Sequence, residues 1–353
     1  MDLFQMRDFD AHEQVTFGYD AASGLRAIVA IHSTALGPAA GGCRMWPYAE
    51  FSDAVSDALR LSRGMSYKNA MAELPFGGGK AVIIGDSREK TRQRMQAFGR
   101  FVDSLGGRYI TAEDVGTTTV DMEHVASATP FVSGLVHEAG EAGGDPGPQT
   151  ALGVFLGLKA AVQFRLGRAT LEGLRVAVQG LGGVGYPLCR LLAAEGVSLH
   201  VADARPAAVQ RVCQEFAARE VPPEAIVSQD VDVLAPCALG AVFDSRSIPT
   251  VRARIIAGAA NNQLAREEDG EALMRAGVLY APDYVINAGG IINVAHEYRG
   301  DASAAQVKAE IERIPVRLTE IFERARREGR PTSAIADEIA RERLATGVRR
   351  REA

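Results

Sequence analysis

A short strand-like stretch, Arg175 to Gln179, runs directly into Gly180-Leu181-Gly182-Gly183-Val184-Gly185 and then into an apolar helical segment. This junction constrains the fold more than any other part of the chain. It satisfies G-x-G-x-x-G at Gly180, Gly182 and Gly185, spacing that permits a tight turn, lets backbone amides approach a pyrophosphate and lets helix and strand pack closely. In a chain with 37 glycines the pattern alone is weak, and the next strand decides the matter. That strand, Ser198 to Ala202, ends at Asp203, the position from which an acidic residue bonds the ribose hydroxyls of a dinucleotide. Leu181, Gly183 and Val184 complete the turn as expected cofactor contacts. Asp203 points to NAD, because a carboxylate repels a 2′-phosphate; Arg205, two positions later, is the residue that points the other way.

The rest of the second half has the same rhythm. Strand-like stretches at Val231 to Leu234, Ile255 to Gly258 and Val278 to Ala281 alternate with helical ones, and such alternation implies a parallel sheet with helices on its faces. The first half is mixed, with strands expected at Gly24 to His32 and Lys80 to Gly85 and a helical period from Asp53 to Met65. At 353 residues two domains are expected, with a cleft between them. Gly140 to Pro148, dense in Gly and Pro, suits a hinge. The expected division is therefore 1–138 for a substrate-binding α/β domain and 139–329 for a dinucleotide domain, with helices from about 330 to 353 packing back on the first.

Several function classes fit poorly. A net charge of −5 and a pI near 5.8 give no electrostatic reason to expect nucleic acid. No apolar run reaches the length of a membrane span, and the acidic start Met1-Asp2-Leu3-Phe4 lacks the basic and apolar regions of a secretory signal. Cys43, Cys189, Cys213 and Cys237 form no C-x-x-C pair, and the histidines show no ligand spacing, so neither a metal site nor a disulfide scaffold is expected. A cytoplasmic protein acting on small molecules is the expectation.

Two lysines of the first half sit in unusual company: Lys68 in Met65-Ser66-Tyr67-Lys68-Asn69, and Lys80 after Gly77-Gly78-Gly79. The second is no phosphate loop, since position 74 is Leu and position 81 is Ala. Glycines beside a reactive amine would let substrate and cofactor approach it. A lysine in an apolar niche near a second ammonium would give up its proton more readily and could serve as a general base. Either lysine alone would read as a surface cation. Glu113-Asp114 at the end of a probable strand, Tyr109-Ile110-Thr111-Ala112, adds a candidate proton shuttle, Asp114.

Taken with Gly37-Pro38-Ala39-Ala40-Gly41-Gly42, Ala235-Pro236-Cys237-Ala238, Ala259-Ala260-Asn261-Asn262 and Asn287-Ala288-Gly289-Gly290, these stretches resemble the leucine, phenylalanine and valine dehydrogenases of the glutamate dehydrogenase superfamily, in the same order over most of the chain. The resemblance implies that Lys68 binds the substrate carboxylate, helped by the backbone at Gly41 and Gly42, and that Lys80 is the base that activates water. Asp114 would exchange a proton with the departing amine. Thr150 and Asn261 would hold the nicotinamide end, with Ala238 beside the cofactor. The substrate side chain would meet Ala40, Ala112, Ile291 and Val294, with no cation to receive a glutamate carboxylate.

The implied reaction is NAD-dependent oxidative deamination of an apolar L-amino acid to its 2-oxo acid and ammonium, and the reverse. Branched-chain substrates are expected first and phenylalanine second, since Ala40 stands where leucine dehydrogenases usually carry Leu and apolar pockets discriminate weakly per methylene. A homo-oligomer is implied, a dimer at least; the end of the chain, Arg349-Arg350-Arg351-Glu352-Ala353, lacks the further tail expected of an octamer. A 2-hydroxy acid dehydrogenase would need a catalytic histidine in a comparable setting, and none is found. A non-catalytic NAD-sensing module would bind cofactor without needing Lys80.

Overall fold

The structure, a computed structural model, describes residues 2–135, 142–238 and 240–352, with side chains to 347. The chain divides into two compact units: one of 1–144, 294–304 and 340–353, the other of 145–293 and 305–339. The boundary expected at 138/139 lies outside the described residues.

The first unit runs β1 (Gln14–Asp20), β2 (Leu25–Ser33), β3 (Ala39–Trp46), α1 (Phe51–Met71), β4 (Gly77–Ile84), α2 (Arg92–Asp103), β5 (Tyr109–Glu113) and α3 (Thr119–Ala126). Its five strands lie in the order β1-β2-β4-β3-β5, antiparallel from β1 to β4 and parallel from β4 to β5. In β2, alternate residues part to two faces as the pleat requires. Leu25, Ala27, Val29 and Ile31 join Met95, Phe98 and Val102 of α2 and Met122 and Val125 of α3. Ile28 and Ala30 meet Ala54, Val55, Ala58 and Leu59 of α1. Covered on both faces, β2 reads as a continuous apolar run.

The second unit carries α4 (Gly147–Leu166), β6 (Arg175–Gln179), α5 (Gly185–Ala194), β7 (Ser198–Ala202), α6 (Pro206–Phe216), β8 (Arg219–Glu220), β9 (Val233–Pro236), β10 (Ile255–Ile256), α7 (Glu268–Arg275), β11 (Leu279–Tyr280) and α8 (Asp283–Ile286). Then follow α9 (Gly289–Arg299), α10 (Ala304–Ile311), α11 (Ile314–Glu328) and α12 (Thr332–Glu352), and the chain passes between units within α9, after the first residue of α10, and within α12. The sheet is wholly parallel, β8-β7-β6-β9-β10-β11. The strand order reverses between β6 and β9, and ligands of doubly wound sheets bind at the carboxyl ends of strands flanking such a point. α4 stops where Gly167 takes φ 67°, the left-handed cap glycine adopts without strain.

Candidate active site

Three adjacent strands of the first unit bring the chemistry together. β4 carries Lys80, β3 carries Gly41 and Gly42, and β5 runs into Asp114. Gly41 lies opposite Thr111 and Gly42 opposite Ala112 in register, while Ala40 lies opposite Gly78 and Ile110. The Lys80 ammonium, on a side chain 7% exposed, stands 2.7 Å from Asp114 Oδ2. Lys68 is half-buried in the last turn of α1, which extends six residues beyond the helical period read from the sequence.

The glycine triplet is strand, and its purpose is packing within the protein. A β-carbon at Gly77 would lie 1.9 Å from the Ser33 carbonyl oxygen; at Gly78, 2.0 Å from the Ser66 amide nitrogen of α1; at Gly79, 2.6 Å from the Tyr109 ring. On β3, a β-carbon at Gly41 would sit 1.8 Å from Gly79 O, and one at Gly42 2.8 Å from Asp114 Cβ. The five glycines let α1, β3, β4 and β5 close around Lys80. The expectation that the triplet opens space for ligands is corrected accordingly.

Lys80 contacts the Asp114 carboxylate, and that carboxylate is shared with a second cation, Arg44, which the sequence reading missed. Arg44 Nε donates to Asp114 Oδ2 at 3.1 Å and Nη1 to Asp57 Oδ2 at 2.9 Å, and Tyr48 Oη donates to the same Asp57 oxygen at 2.5 Å. Burial pushes the Asp114 carboxyl up, but Lys80 and then Arg44 more than reverse this and hold it at about 2. Burial, then the bond to Asp57, pushes the Tyr48 hydroxyl up. The available signal for Arg44 was its place two residues after Gly42 on the same strand face.

Two other expected substrate residues lie on α9. Val294 is in the first unit, where its carbonyl accepts from Ser133 Oγ at 3.2 Å, and Ile291 is in the second. In the first unit, α9 also carries buried Glu297, whose Oε1 accepts from the amides of Gly134 and Leu135 at 2.7 and 2.9 Å.

The second unit gathers the expected cofactor residues at the carboxyl edge of its sheet. Gly180 follows β6 with φ +92°, and a β-carbon on Gly185 would lie 1.8 Å from the Gly180 carbonyl oxygen, so these two glycines make the tight turn. At Gly183 a β-carbon would meet nothing within 4 Å, and at Gly182 only an Arg205 nitrogen at 3.8 Å. Those two leave bare backbone at the start of α5, the cradle a pyrophosphate fits. Val184 precedes the helix as its N-cap. Ala238 is exposed just beyond β9, and a β-carbon on Gly180 would lie 2.8 Å from its own.

Asp203 follows β7, with Oδ2 accepting the Leu181 amide at 2.7 Å and Oδ1 accepting the Arg205 amide and Nε at 2.8 and 3.0 Å. The Arg205 side-chain bond leads the causes that hold its carboxyl at about 2. Thr150, in the first turn of α4, donates to the Pro146 carbonyl at 2.8 Å, and Asn261 Oδ1 accepts from Asn287 Nδ2 at 2.7 Å. Among the described residues no cluster of three or more His, Cys, Asp or Glu could hold a metal ion, and no helix is long and apolar enough to cross a membrane.

A dinucleotide cradle in one α/β unit and a lysine–carboxylate pair in the other define the class: an oxidoreductase. Residues 11–130 match the family model "Glu/Leu/Phe/Val dehydrogenase, dimerisation domain", and residues 197–350 match "Glutamate/Leucine/Phenylalanine/Valine dehydrogenase". Leucine dehydrogenase of Bacillus subtilis (strain 168) is 49% identical, over 98% of this chain and 94% of its own. Valine dehydrogenase of Streptomyces virginiae is 47% identical, over 96% and 95%. The crystal structure of L-tryptophan dehydrogenase from Nostoc punctiforme superposes with a TM-score of 0.83 at 46% identity, over 96% of this chain and 97% of that one. The chain belongs to the glutamate, leucine, phenylalanine and valine dehydrogenase family, and it is an enzyme that oxidises amino acids.

Proposed function

We propose that this enzyme interconverts an apolar L-amino acid, branched-chain by first preference, with its 2-oxo acid and ammonium, using NAD and Lys80 as general base. The observation that carries the reading is the 2.7 Å contact between Lys80 Nζ and Asp114 Oδ2, a proton donor and acceptor pair brought together from the two strands that flank β3. The first unit is then the substrate domain and the second the NAD domain. The name of the matching family model over 11–130 supports a homodimer at least, and the lack of an apolar span among the described helices is compatible with a cytoplasmic setting.

When bound, NAD supplies the acceptor for the substrate's α-hydride. Asp203 would hold the adenosine ribose, the amides that open α5 the pyrophosphate, and Thr150 and Asn261 the nicotinamide end, with Ala238 alongside. Lys68 binds the substrate carboxylate as a point charge beside the backbone of Gly41 and Gly42. Loss of hydride leaves an iminium carbon. Neutral Lys80 takes a proton from water as the water oxygen bonds to that carbon, and Asp114 relays a proton to the nitrogen. As the C–N bond breaks, Lys80, neutral again once its proton has passed on through Asp114, takes the hydroxyl proton to form the 2-oxo group, and that proton converts the departing ammonia to ammonium.

For the side chain, Ala40, Ala112, Ile291 and Val294 supply apolar surface. Small Ala40, buried on β3, favours phenylalanine as the second candidate. Relatives acting, by name, on leucine, tryptophan and valine stand at 46–49% identity, so likeness separates none of these substrates. The test is NADH formation at alkaline pH from L-leucine, L-isoleucine, L-valine, L-phenylalanine, L-tryptophan and L-glutamate. Turnover of the branched-chain acids above the aromatic ones, and none of glutamate, is expected; turnover of glutamate alone would overturn the reading.

A further inference from the structure

We propose that Arg44 is a positioning residue of this enzyme, clamping Asp114 and keeping it charged while Lys80 gives up its proton. The inference rests on Lys80 acting as the base. A base must become neutral, and when Lys80 does so the carboxylate 2.7 Å away loses its counter-charge. In so enclosed a site the proton would then come to rest on Asp114 instead of passing on, and no proton would leave the pair. Arg44 prevents this, because a guanidinium is not deprotonated in proteins and its Nε stands 3.1 Å from the very oxygen that Lys80 contacts.

The clamp is built from both ends. Arg44 is itself held by Asp57 of α1 at 2.9 Å, and Asp57 by the Tyr48 hydroxyl at 2.5 Å and, on its other oxygen, by Arg60 at 4.0 Å. The residues flanking Arg44 on β3 fix the backbone that presents Asp114: Cys43 O accepts Thr117 Oγ1 at 2.9 Å, and Met45 N donates to Val115 O at 2.9 Å. Gly116, at φ +84°, closes this loop onto Met45, where a β-carbon would lie 2.2 Å from the carbonyl oxygen. A lysine at position 44 could keep the charge but not the two-ended bridge, which needs the fork of a guanidinium.

Three elements of the first unit bring charged and titratable groups to the Lys80–Asp114 pair. β3 brings Arg44 and the buried Cys43 thiol, β5 brings buried Tyr109 and, beside Asp114, Glu113, and α1, which packs on β4, brings Asp57 and Lys68. Lys90 and Asp121, paired at 2.5 Å, stand beyond Cys43. On β2, Ala30 faces Lys80. Among the described residues Arg44 is the cation in bonding contact with Asp114 besides Lys80, so its removal leaves the pair holding its shared proton more tightly.

The experiment compares the pH dependence of kcat/KM for L-leucine in the full-length enzyme, Arg44→Met and Arg44→Lys, together with the rate at which an amine-selective reagent labels Lys80, read by mass spectrometry across the same pH range. In Arg44→Met both the acid limb of turnover and the labelling midpoint should rise by about one pH unit, the order a neighbouring charge produces at this range. Arg44→Lys should restore most of the shift while staying slower. Tyr48→Phe, which loosens only the far anchor and serves if Arg44→Met does not fold, should shift both in the same direction by less. Variants that are slower with both midpoints unmoved would reduce Arg44 to packing and overturn the proposal. Full turnover by Lys80→Ala would instead overturn the role of Lys80 itself, and the labelling midpoint would still report on the clamp.

Discussion

Gly79 and Tyr109 stand so close across the first sheet that a β-carbon on Gly79 would lie 2.6 Å from the aromatic ring, while the Tyr109 hydroxyl donates to the Gly41 carbonyl at 2.5 Å. Tyr109 is thus the internal spacer that fits β4, β3 and β5 together beneath Lys80. Gly79→Ala is expected to cost about 1–3 kcal/mol, the ordinary penalty of overpacking, and Gly77→Ala at least as much because its obstacle is backbone. Thermal unfolding of the two variants measures this. Midpoints equal to that of the unaltered enzyme would show that the triplet is not there for packing.

The amide of Leu181 and the side chain of Arg205 both bond Asp203, so this carboxylate braces the glycine turn as well as presenting itself at the sheet edge. Asp203→Ser should raise KM for NAD by about tenfold, the equivalent of one lost charge-assisted bond. It should also bring NADP closer to parity, since Arg205 is released and the repulsion of a 2′-phosphate is gone. Steady-state kinetics with each cofactor tests both statements. An unchanged ratio of NAD to NADP efficiency would mean that Asp203 does not discriminate.

His32 and His12 lie buried edge to face with ring centroids 4.9 Å apart, and His32 Nδ1 is 2.8 Å from Ser66 Oγ in the turn of α1 that carries Lys68. Burial first, and His12 next, lower the His32 imidazole from 6.5 to about 4, with Asp10 opposing. Because the folded state binds fewer protons than the unfolded chain here, the stability from keeping this ring neutral is complete above about pH 6.5 and is lost as the pH falls through about 4. The unfolding midpoint should therefore drop across that window, and His32→Asn should flatten the drop. Curves that stay parallel for the two proteins would contradict it.

What could be read from the sequence differs between the two units for physical reasons. In the second unit β6 and β7 fall within the stretches read as strands, because buried parallel strands are short apolar runs bounded by turn residues. β9 lies two residues later than expected, and β10 and β11 keep only the first or middle pair of their stretches. In the first unit β1 and β3 were not foreseen. β3 begins Ala39-Ala40-Gly41-Gly42, residues of low strand propensity whose conformation is set by how closely the neighbouring chain approaches. The glycines of β4 misled for the same reason: read as room for ligands, they are packing contacts. Lys80 and Asp114, which the structure pairs at 2.7 Å, could be singled out because their residue types suit acid–base chemistry. Arg44 could not, because its importance lies in the partner 70 positions along the chain.

The central claim is that Lys80 is the base in deamination of an apolar amino acid, and it is tested most directly by turnover of L-leucine with NAD at alkaline pH, followed as NADH, in the unaltered enzyme and in Lys80→Ala. The account expects kcat to fall by about two to four orders of magnitude, the usual contribution of a general base, while the affinity for NADH, measured by fluorescence titration, stays within about twofold. Undiminished turnover by Lys80→Ala would contradict it.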